Sequence, residues 1–393
     1  MLVPIVLLGS YGYWASSRSL PPLNPDQAQV RLQTQTPSSK LAWPAAGQSG
    51  VGIVGTPILE THGTQTPAAI ASTAKIITAL VVLHAKPLAL SQQGPMITLS
   101  ASDEALYNSY AARAGSVVRV TAGEQISEYQ MLEAMLLPSA NNAADSLATW
   151  AFGSLGNYTA SANSYLSKLG LAQTRVGTDA SGFDPSTTST AHDLVRLGEL
   201  AMQDPVLAQV VGQTTASGIP VVNSVKNVNF LLGTDNIIGI KTGNTDQAGG
   251  VFISASRATV NGKPVTIVTA LVGSPTLFQA MKDSLPLIQG AQVNFKPVTV
   301  ITKASVAGRY RQPWGGRVTA ITAKNLSVNT WNGTTVSSIV QLQPVPATAQ
   351  AGQTAGTVTA PKSALYDLKS VPIKLQTAPT KPSLWWRLIH PMR

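Results

Sequence analysis

Ala69-Ile-Ala-Ser72-Thr-Ala-Lys75-Ile-Ile-Thr-Ala-Leu-Val-Val-Leu-His84 is the stretch of this chain that says most about its fold. It is apolar, rich in alanine and free of glycine and proline, which predicts a buried helix. Ser72 falls in the first turn of that helix. A spacing of three residues places Ser72 and Lys75 on one helix face, with their Cβ atoms about 5–6 Å apart. The pattern therefore predicts a hydroxyl and an amine within hydrogen-bonding reach of each other.

Lys75 can take the proton of Ser72 only if the lysine is neutral. An unperturbed lysine has a pKa of about 10.4, but burial in an apolar wall and a nearby second cation both lower it. Backbone N–H groups at the start of the helix would also lie near Ser72, where an oxyanion could form. Taken alone, the pair is better explained as a chance serine and lysine on a helix, because this spacing of the two residues is common.

A second stretch, Ser139-Ala-Asn141, lies between two helix-like runs, the first of which is stopped by Pro138. Both polar side chains are then expected on a tight turn between helices. A serine there can relay a proton, and an asparagine amide can hold a substrate carbonyl and the lysine. The alternative is a simple helix cap, because Ser and Asn are favoured at N-cap positions.

A third stretch, Lys241-Thr242-Gly243, ends a strand-like run that begins at Asn236. A lysine and a hydroxyl at a strand end can bind a carboxylate, and Gly243 would let a substrate backbone lie against the strand. If the three stretches converge, Lys241 is the second cation that would lower the pKa of Lys75. The alternative is a hairpin tip with an exposed lysine.

The three stretches, in this order, resemble the S-x-x-K, S-x-N and K-T-G motifs of the penicillin-binding proteins and serine β-lactamases. Within that superfamily the chain is most similar to the low-molecular-mass D-alanyl-D-alanine carboxypeptidases. Asp179-Ala-Ser-Gly-Phe183 and Thr190-Ala-His-Asp-Leu194 resemble a segment that follows the second motif in that family. The likeness extends over nearly the whole chain after the N-terminal segment.

This resemblance implies a serine-type carboxypeptidase that removes the terminal D-alanine of peptidoglycan stem pentapeptides through an acyl-serine intermediate. It implies Ser72 as nucleophile, Lys75 as general base and Ser139 as proton donor to the leaving D-alanine. The substrate would be held by Asn141, Lys241, Thr242 and Gly243, and the oxyanion by the backbone N–H groups of Ser72 and Asn244. β-Lactams would act as covalent inhibitors, and no metal or other cofactor is implied.

The distribution of glutamates bears on the β-lactamase alternative. Class A β-lactamases use a glutamate between the second and third motifs to activate the deacylating water. No glutamate occurs between Asn141 and Arg196, and Glu199 falls inside a helix-like run. Slow release of a penicilloyl adduct is therefore expected. Two further functions stay open, namely a D,D-endopeptidase acting on crosslinks and a non-catalytic penicillin- or peptidoglycan-binding sensor.

Other chemistries have less support. Gly50-Val-Gly52-Ile-Val-Gly55 fits the dinucleotide pattern G-x-G-x-x-G, but a loop precedes it and a strand follows, which favours the first strand of a hairpin. The four histidines are scattered and cysteine is absent, so neither a metal site nor thiol catalysis is indicated. A Ser-His-Asp triad lacks its G-x-S-x-G elbow.

The charge of the chain is concentrated near its C-terminus. The net charge is +10, and residues 291–393 alone hold seven Lys and five Arg against one acid. Such a region would be drawn to an anionic surface, such as phospholipid headgroups or acidic wall polymer. A nucleic-acid partner is not expected, because there is no compact Lys/Arg cluster, zinc knuckle or aromatic RNA-binding signature.

Both ends of the chain suggest proximity to a membrane. Residues 1–14 are apolar but too short to span about 30 Å, and they resemble the apolar region of an export signal or a weak anchor. Residues 18–40 have the composition of a linker. The segment 383–393 pairs two tryptophans with basic residues, which suits a membrane interface, although it could instead dock on the β-rich region. We therefore expect an exported protein at the outer face of the cytoplasmic membrane.

The predicted fold is of the α/β (α+β) class and β-lactamase/transpeptidase-like. It has a five-stranded antiparallel sheet flanked by helices, with a helical insertion over residues 127–211 and a small C-terminal all-β domain. The strands of the sheet are predicted at 50–54, 57–61, 237–242, 250–255 and 265–272. The predicted boundaries are 1–40 for the export signal or anchor and linker, 41–292 for the catalytic domain, 293–376 for the basic β domain and 377–393 for the membrane-interface segment. The oligomeric state is left open.

Overall fold

The computed structural model describes residues 2–390, which divide into two compact units. One unit comprises residues 40–294. The other combines the residues up to 39 with those from 295 onward. The N-terminal segment thus belongs to the same unit as the C-terminal region.

The strands of the described residues begin at residue 29. In chain order the strands are β1 (Gln29–Gln35), β2 (Gln48–Ile53), β3 (Leu59–His62), β4 (Ala68–Ala69), β5 (Met96–Thr98), β6 (Gln125–Ser127), β7 (Thr188–Ser189), β8 (Thr215–Ile219), β9 (Asn223–Lys226), β10 (Ile237–Thr245), β11 (Gly249–Val260), β12 (Lys263–Ser274), β13 (Phe295–Ile301), β14 (Val306–Arg311), β15 (Arg317–Thr322), β16 (Leu326–Trp331), β17 (Thr335–Leu342), β18 (Thr354–Ala360) and β19 (Lys369–Leu375).

The helices are α1 (Leu2–Ser17), α2 (Ala74–Ala85), α3 (Ala101–Ala112), α4 (Glu128–Leu136), α5 (Asn141–Phe152), α6 (Leu155–Lys168), α7 (Ala191–Gln203), α8 (Pro205–Val211), α9 (Leu277–Gln292) and α10 (Leu384–Ile389). Two short 3₁₀ turns cover Ala71–Thr73 and Thr234–Asn236.

The 40–294 unit is built around an antiparallel sheet in the order β10-β11-β12-β2-β3. The five strands are those predicted from the sequence, and the predicted fold class is confirmed. Phe252 packs with residues of α9, whereas its neighbour Ile253 contacts Gly198 of α7. Adjacent strand residues point to opposite faces, so helices cover both sides of the sheet. β10 lies at one edge, where unpaired backbone groups can accept an added strand.

The helix predicted from the opening stretch forms as α2, preceded by the 3₁₀ turn at Ala71–Thr73. Every residue from Ala74 to Leu83 is buried, since α2 packs against α4, α5, α6 and α7. The hydroxyl of Thr73 donates to the carbonyl of Ile70 at 2.6 Å, which stabilises the turn that leads into α2. Ser72 therefore lies in the 3₁₀ turn that leads into α2, at the start of the predicted helix.

The predicted helical insertion contains α4 to α8. Ser127 begins α4 with a capping box, in which its Oγ accepts from the N–H of Gln130 at 3.1 Å and the Gln130 side chain accepts from the N–H of Ser127 at 3.0 Å. Helix α3 was not predicted. It begins with a similar box between Ser100 and Asp103, which is the sequence signal that could have located it.

The other unit holds a six-stranded antiparallel sheet in the order β1-β17-β18-β19-β15-β14 and a two-stranded sheet of β13 and β16. The prediction that residues 18–40 form a linker is wrong for Gln29–Gln35, which form β1 and pair with β17. Val30, Leu32 and Thr34 alternate with exposed polar residues. A strand with one face in solvent is polar at every second position, so its composition resembles that of a linker.

Helices α1 and α10 contact each other within this unit. The Tyr11 hydroxyl donates to the carbonyl of Leu388 at 2.7 Å, and Arg387 donates to the carbonyl of Ser16 at 2.7 Å. Within residues 2–390, none of the helices combines the length and apolarity needed to cross a bilayer. The first residue of the predicted export signal and residues 391–393 of the predicted interface segment lie outside the described residues.

Candidate active site

Ser72 and Lys75 are in direct contact at the start of the helix. Lys75 Nζ lies 2.8 Å from Ser72 Oγ, as the spacing of three residues predicts. Lys75 is fully buried, whereas Ser72 is half-buried and lines a cavity. The Ser72 hydroxyl therefore faces a space that a substrate can enter, and the Lys75 amine contacts this hydroxyl from the protein interior.

Two further oxygens surround the amine of Lys75. Its Nζ donates to Asn141 Oδ1 at 2.7 Å and to the carbonyl oxygen of Ser181 at 3.1 Å. Both oxygens can only accept hydrogen bonds, so each accepts from one of the two N–H groups that a neutral amine retains. The lone pair of the neutral amine is then directed at the third neighbour, the hydroxyl of Ser72. This geometry makes Lys75 a proton acceptor for Ser72 and for no other group in contact with it.

The pKa of Lys75 agrees with that role. Burial lowers it from 10.5 to about 7, while the carboxylates of Asp179 and Asp145 act in the opposite direction. Desolvation thus outweighs two attractive charges, and a large fraction of Lys75 is neutral near pH 7. Burial, and not the second cation predicted from the sequence, lowers the pKa of Lys75. The effect between the two lysines is seen at Lys241, where burial first, and Lys75 second, hold the pKa well below its usual value.

The Ser139-Ala-Asn141 turn joins α4 to α5. Ser139 has φ 68°, a left-handed conformation that costs a non-glycine residue on the order of 1–3 kcal/mol. The N-cap of α5 is Ala140, which makes no side-chain capping bond. Neither Ser139 nor Asn141 is therefore the helix cap that the alternative interpretation required. Both line the same cavity as Ser72.

Lys241 is buried rather than exposed at a hairpin tip. Only 1% of its surface is accessible, and its Nζ has no hydrogen-bond partner among the described residues. Burial without a partner disfavours the charged form of Lys241, and an anion bound beside it would stabilise that form. The neighbouring Thr242 lines the Ser72 cavity.

Gly243 brings β10 against the start of the nucleophile helix. A Cβ at this position would lie 2.8 Å from the carbonyl oxygen of Ile70 and 3.2 Å from the backbone nitrogen of Ser72. No side chain fits between these two backbones, which explains the glycine. Asn244, the next residue, is exposed and lines the cavity. The use of its backbone N–H in an oxyanion hole stays a prediction.

The three stretches converge on one cavity of about 260 Å³. The predicted site residues that line it are Ser72, Ser139, Asn141, Thr242, Gly243 and Asn244. Lys75 and Lys241 lie buried next to this lining. All eight residues predicted from the sequence are thus brought together from a helix start, an inter-helix turn and a strand end.

The loop after Asp179 also shapes the site. The Asp179 carboxylate accepts from the N–H groups of Ser181 (2.7 Å), Gly182 (2.6 Å) and Asp184 (2.6 Å). These bonds curl the loop and hold the Ser181 carbonyl against Lys75. The sequence indicated this segment only through its resemblance to the family, because a carbonyl acceptor leaves no mark in a sequence.

Asp145 is a second buried carboxylate that sequence reasoning missed. It accepts from the Tyr110 hydroxyl at 2.6 Å and from the N–H of Ala180 at 2.8 Å. Burial raises its pKa to about 6, against the lowering effect of these hydrogen bonds. Asp145 follows Asn141 by four residues and so lies on the same face of α5, a spacing that could have revealed it.

Glu199 lies away from the cavity. Its carboxylate pairs with Arg196 at 2.6 Å, and it contacts Gly52 of β2. It is not among the residues that line the Ser72 cavity. This glutamate is therefore engaged at the sheet and does not face the nucleophile.

A serine paired with a buried lysine, set between a helical region and the edge of an antiparallel sheet, defines an acyl-transfer site of the penicillin-binding class. The model of the D-alanyl-D-alanine carboxypeptidase family matches residues 54–272. The chain belongs to this family.

Individual relatives agree with this assignment. A D-alanyl-D-alanine endopeptidase of Pseudomonas aeruginosa is 35% identical over 51% of this chain, and a D-alanyl-D-alanine carboxypeptidase of Mycobacterium tuberculosis is 32% identical over 52% of it. The matched regions span 62% and 69% of those proteins, respectively, and 49% of a carboxypeptidase of Haemophilus influenzae. Among solved structures, penicillin binding protein 5 from Haemophilus influenzae superposes with a TM-score of 0.58 at 20% identity, over 86% of this chain and 98% of that one. That structure supports the fold.

Proposed function

We propose that this protein is a serine D-alanyl-D-alanine carboxypeptidase that trims peptidoglycan stem pentapeptides. The observation that carries the proposal is the contact of Lys75 Nζ with Ser72 Oγ at 2.8 Å, with both remaining N–H bonds of the amine directed at carbonyl oxygens. A burial-lowered lysine pKa of about 7 makes the same group available as a base at neutral pH.

In the acylation step Lys75 takes the proton of Ser72, and Oγ attacks the carbonyl carbon of the penultimate D-alanine. The oxyanion is stabilised by the backbone N–H groups of Ser72 and Asn244. Ser139 passes a proton from Lys75 to the nitrogen of the leaving D-alanine as the amide bond breaks. The proton removed from Ser72 thus leaves with the product, and Lys75 is neutral again.

The terminal carboxylate of the substrate is the partner of the buried Lys241. Its Nζ is within the protein and has no partner among the described groups, so the carboxylate supplies the missing counter-charge. The hydroxyl of Thr242 donates a hydrogen bond to the same carboxylate. The substrate backbone lies along the free edge of β10, beside Gly243, as an added strand.

In the second step water hydrolyses the acyl-serine ester. β-Lactams acylate Ser72 in the same way, and we propose that they are released slowly. Glu199, the first glutamate after the second motif, is paired with Arg196 beside β2 and so does not serve as a base for the deacylating water. β-Lactams are therefore inhibitors rather than substrates that turn over efficiently.

The test is release of free D-alanine from a pentapeptide ending in D-Ala-D-Ala, with Ser72→Ala as the inactive control. We expect release by the wild type and none by the variant. Absence of release together with labelling by a fluorescent penicillin would favour a non-catalytic sensor. Release that survives Ser72→Ala would rule out the serine mechanism.

A D,D-endopeptidase is the second candidate, and the 35% identical Pseudomonas aeruginosa relative that bears that name favours it. The same acyl-serine chemistry cleaves a crosslink when the leaving amine belongs to a second stem peptide. Incubation with a crosslinked muropeptide dimer, followed by mass spectrometry of the products, separates the two activities.

We further propose that the enzyme works outside the cytoplasm and contacts the membrane through α1 and α10. These helices contact each other, Trp385 is 70% exposed, and the basic residue Arg387 lies in the last turn of α10. Co-sedimentation with anionic phospholipid vesicles should decrease in Trp385→Ala. Phe230→Ala, which removes an aromatic residue that is 60% exposed in the 40–294 unit, is the matched control. Equal loss in both variants, or none in either, would contradict this proposal.

A further inference from the structure

A second cavity, of about 490 Å³, adjoins the cavity that holds Ser72. Its lining comes from three places: the end of α3, the loop after Asp179 and the hairpin after β10. Four residues, namely Ala114, Phe183, Asn244 and Thr245, line both cavities. The two spaces are therefore continuous, and a substrate bound at Ser72 can reach both.

The direction of β10 indicates which part of a substrate would enter the second cavity. This step rests on the proposed function, in which the terminal carboxylate binds at Lys241 and Thr242. The carbonyl under attack then lies near Asn244. Residues on the N-terminal side of the cleaved bond continue along the edge of β10 towards Thr245 and Gln247, where the second cavity lies. The cavity thus faces the side chain that precedes the penultimate residue.

Three charged side chains, of both signs, line this cavity: Arg113, Asp184 and Asp246. None of the ion pairs in the described part of the chain involves them. Asp184 accepts from the N–H of Ser186 at 2.9 Å, and its hydrogen bonds to Ser186 lower its pKa, which keeps it ionised. Asp246 is exposed in the hairpin.

Arg113 is held in place by aromatic rings. Its guanidinium lies 4.7 Å from the ring centre of Tyr110 and 5.0 Å from that of Phe183, and its Nε donates to the carbonyl of Ser109 at 3.3 Å. The two rings themselves meet edge to face at 5.5 Å. Because Phe183 also lines the Ser72 cavity, the cation is fixed at the boundary between the two spaces.

We propose that this cavity selects a substrate side chain that ends in both an ammonium group and a carboxylate. Arg113 would pair with the carboxylate, and Asp184 and Asp246 with the ammonium. A side chain with a carboxylate alone would meet two like charges, and one with an ammonium alone would meet the guanidinium. Only a zwitterionic end satisfies all three groups, so charge complementarity determines the specificity.

The test uses four pentapeptides ending in D-Ala-D-Ala that differ only in the side chain before the penultimate residue. That side chain ends in a zwitterion, an ammonium, a carboxylate or an uncharged methyl group. kcat/KM for D-alanine release is measured for each. We expect the zwitterion to exceed the ammonium peptide about tenfold, the size of one partly exposed bidentate ion pair.

Arg113→Gln should remove the preference for the zwitterion over the ammonium peptide. Asp246→Asn should reduce the preference for the zwitterion over the carboxylate peptide. Arg119→Gln, which changes an exposed arginine outside the cavity, is the matched control and should keep both preferences. Because each preference is a ratio of two peptides on one variant, partial loss of folded enzyme cancels.

Equal kcat/KM for the four peptides on the wild type, or a zwitterion preference that persists in Arg113→Gln, would overturn the inference while leaving the carboxypeptidase activity in place. Absence of D-alanine release from all four peptides would instead remove the proposed function and this inference with it. The two failures are therefore distinguishable.

Discussion

Replacement of Asn141 by aspartate tests the proton-acceptor role of Lys75 most directly. The amide oxygen of Asn141 lies 2.7 Å from Lys75 Nζ, and Asn141→Asp keeps the size of the side chain while adding a negative charge there. A carboxylate at that distance stabilises the protonated lysine. The substitution should therefore raise the pKa of Lys75 and remove the base from the neutral pH range.

The size of the effect follows from the distance. Two unit charges 2.7 Å apart interact by about 6 kcal/mol at an effective dielectric constant of about 20, which corresponds to about 4 pKa units. Burial of the new carboxylate offsets part of this gain. An increase of about 2 units, from about 7 to about 9, is therefore a conservative expectation. At pH 7 the neutral fraction of Lys75 would fall about 50-fold, and acylation with it.

The assay is the second-order rate constant for labelling by a fluorescent penicillin, measured between pH 5.5 and 10. In the wild type the rate should rise with pH and level off above about 7, because only neutral Lys75 accepts the proton. In Asn141→Asp the same rise should occur near pH 9, with partial recovery at high pH. Asn141→Ala, which removes the acceptor without adding charge, should be slower at every pH without such a shift. A rise in Asn141→Asp centred at the wild-type pH would refute the proposed state of Lys75.

Three further substitutions probe other parts of the site. Gly243→Ala should slow penicillin labelling about 10- to 100-fold, because its Cβ would press on the carbonyl oxygen of Ile70 and the backbone nitrogen of Ser72. Unchanged labelling would contradict the close approach of the two backbones. Lys241→Gln should raise KM about tenfold for a peptide with a free terminal carboxylate but not for the corresponding C-terminal amide, as measured by product release. An equal rise in KM for both peptides would exclude the carboxylate role of Lys241. Asp145→Asn removes a negative charge that raises the pKa of Lys75, so the pH midpoint of penicillin labelling should move below about 7, whatever the change in maximal rate. A midpoint that moves upward would contradict the effect of Asp145 on Lys75.

The sheet and the nucleophile helix were predictable because their signals are local. The five strands appear as apolar runs bounded by glycine, proline and polar residues, and α2 as an uninterrupted alanine-rich apolar run. β1 was missed for a physical reason. One of its faces is exposed, so Gln29–Gln35 alternate polar and apolar residues and have the composition of a linker. Helix α3 was missed although Ser100 and Asp103 mark its start.

The candidate site was predicted in its ionisable and hydroxyl groups but not in its supports. Ser72, Lys75 and Lys241 stand out because their residue types and order are characteristic. The Ser181 carbonyl does not, since every residue has one and only the folded loop aims it at Lys75. Asp145 could have been found from its spacing to Asn141 on α5, but its link to Tyr110 depends on how α3 packs.

The sequence by itself determined which functional groups the site contains, namely a serine and a lysine one helical turn apart, a polar turn between helices and a lysine at a strand end. These are properties of local spacing, which a linear chain records. Only the tertiary structure decided how that chemistry is used. Burial lowers the pKa of Lys75, two carbonyl oxygens take up its N–H bonds, and the edge position of β10 exposes a strand to substrate. Desolvation and strand order depend on contacts between residues far apart in the chain, so no local pattern records them.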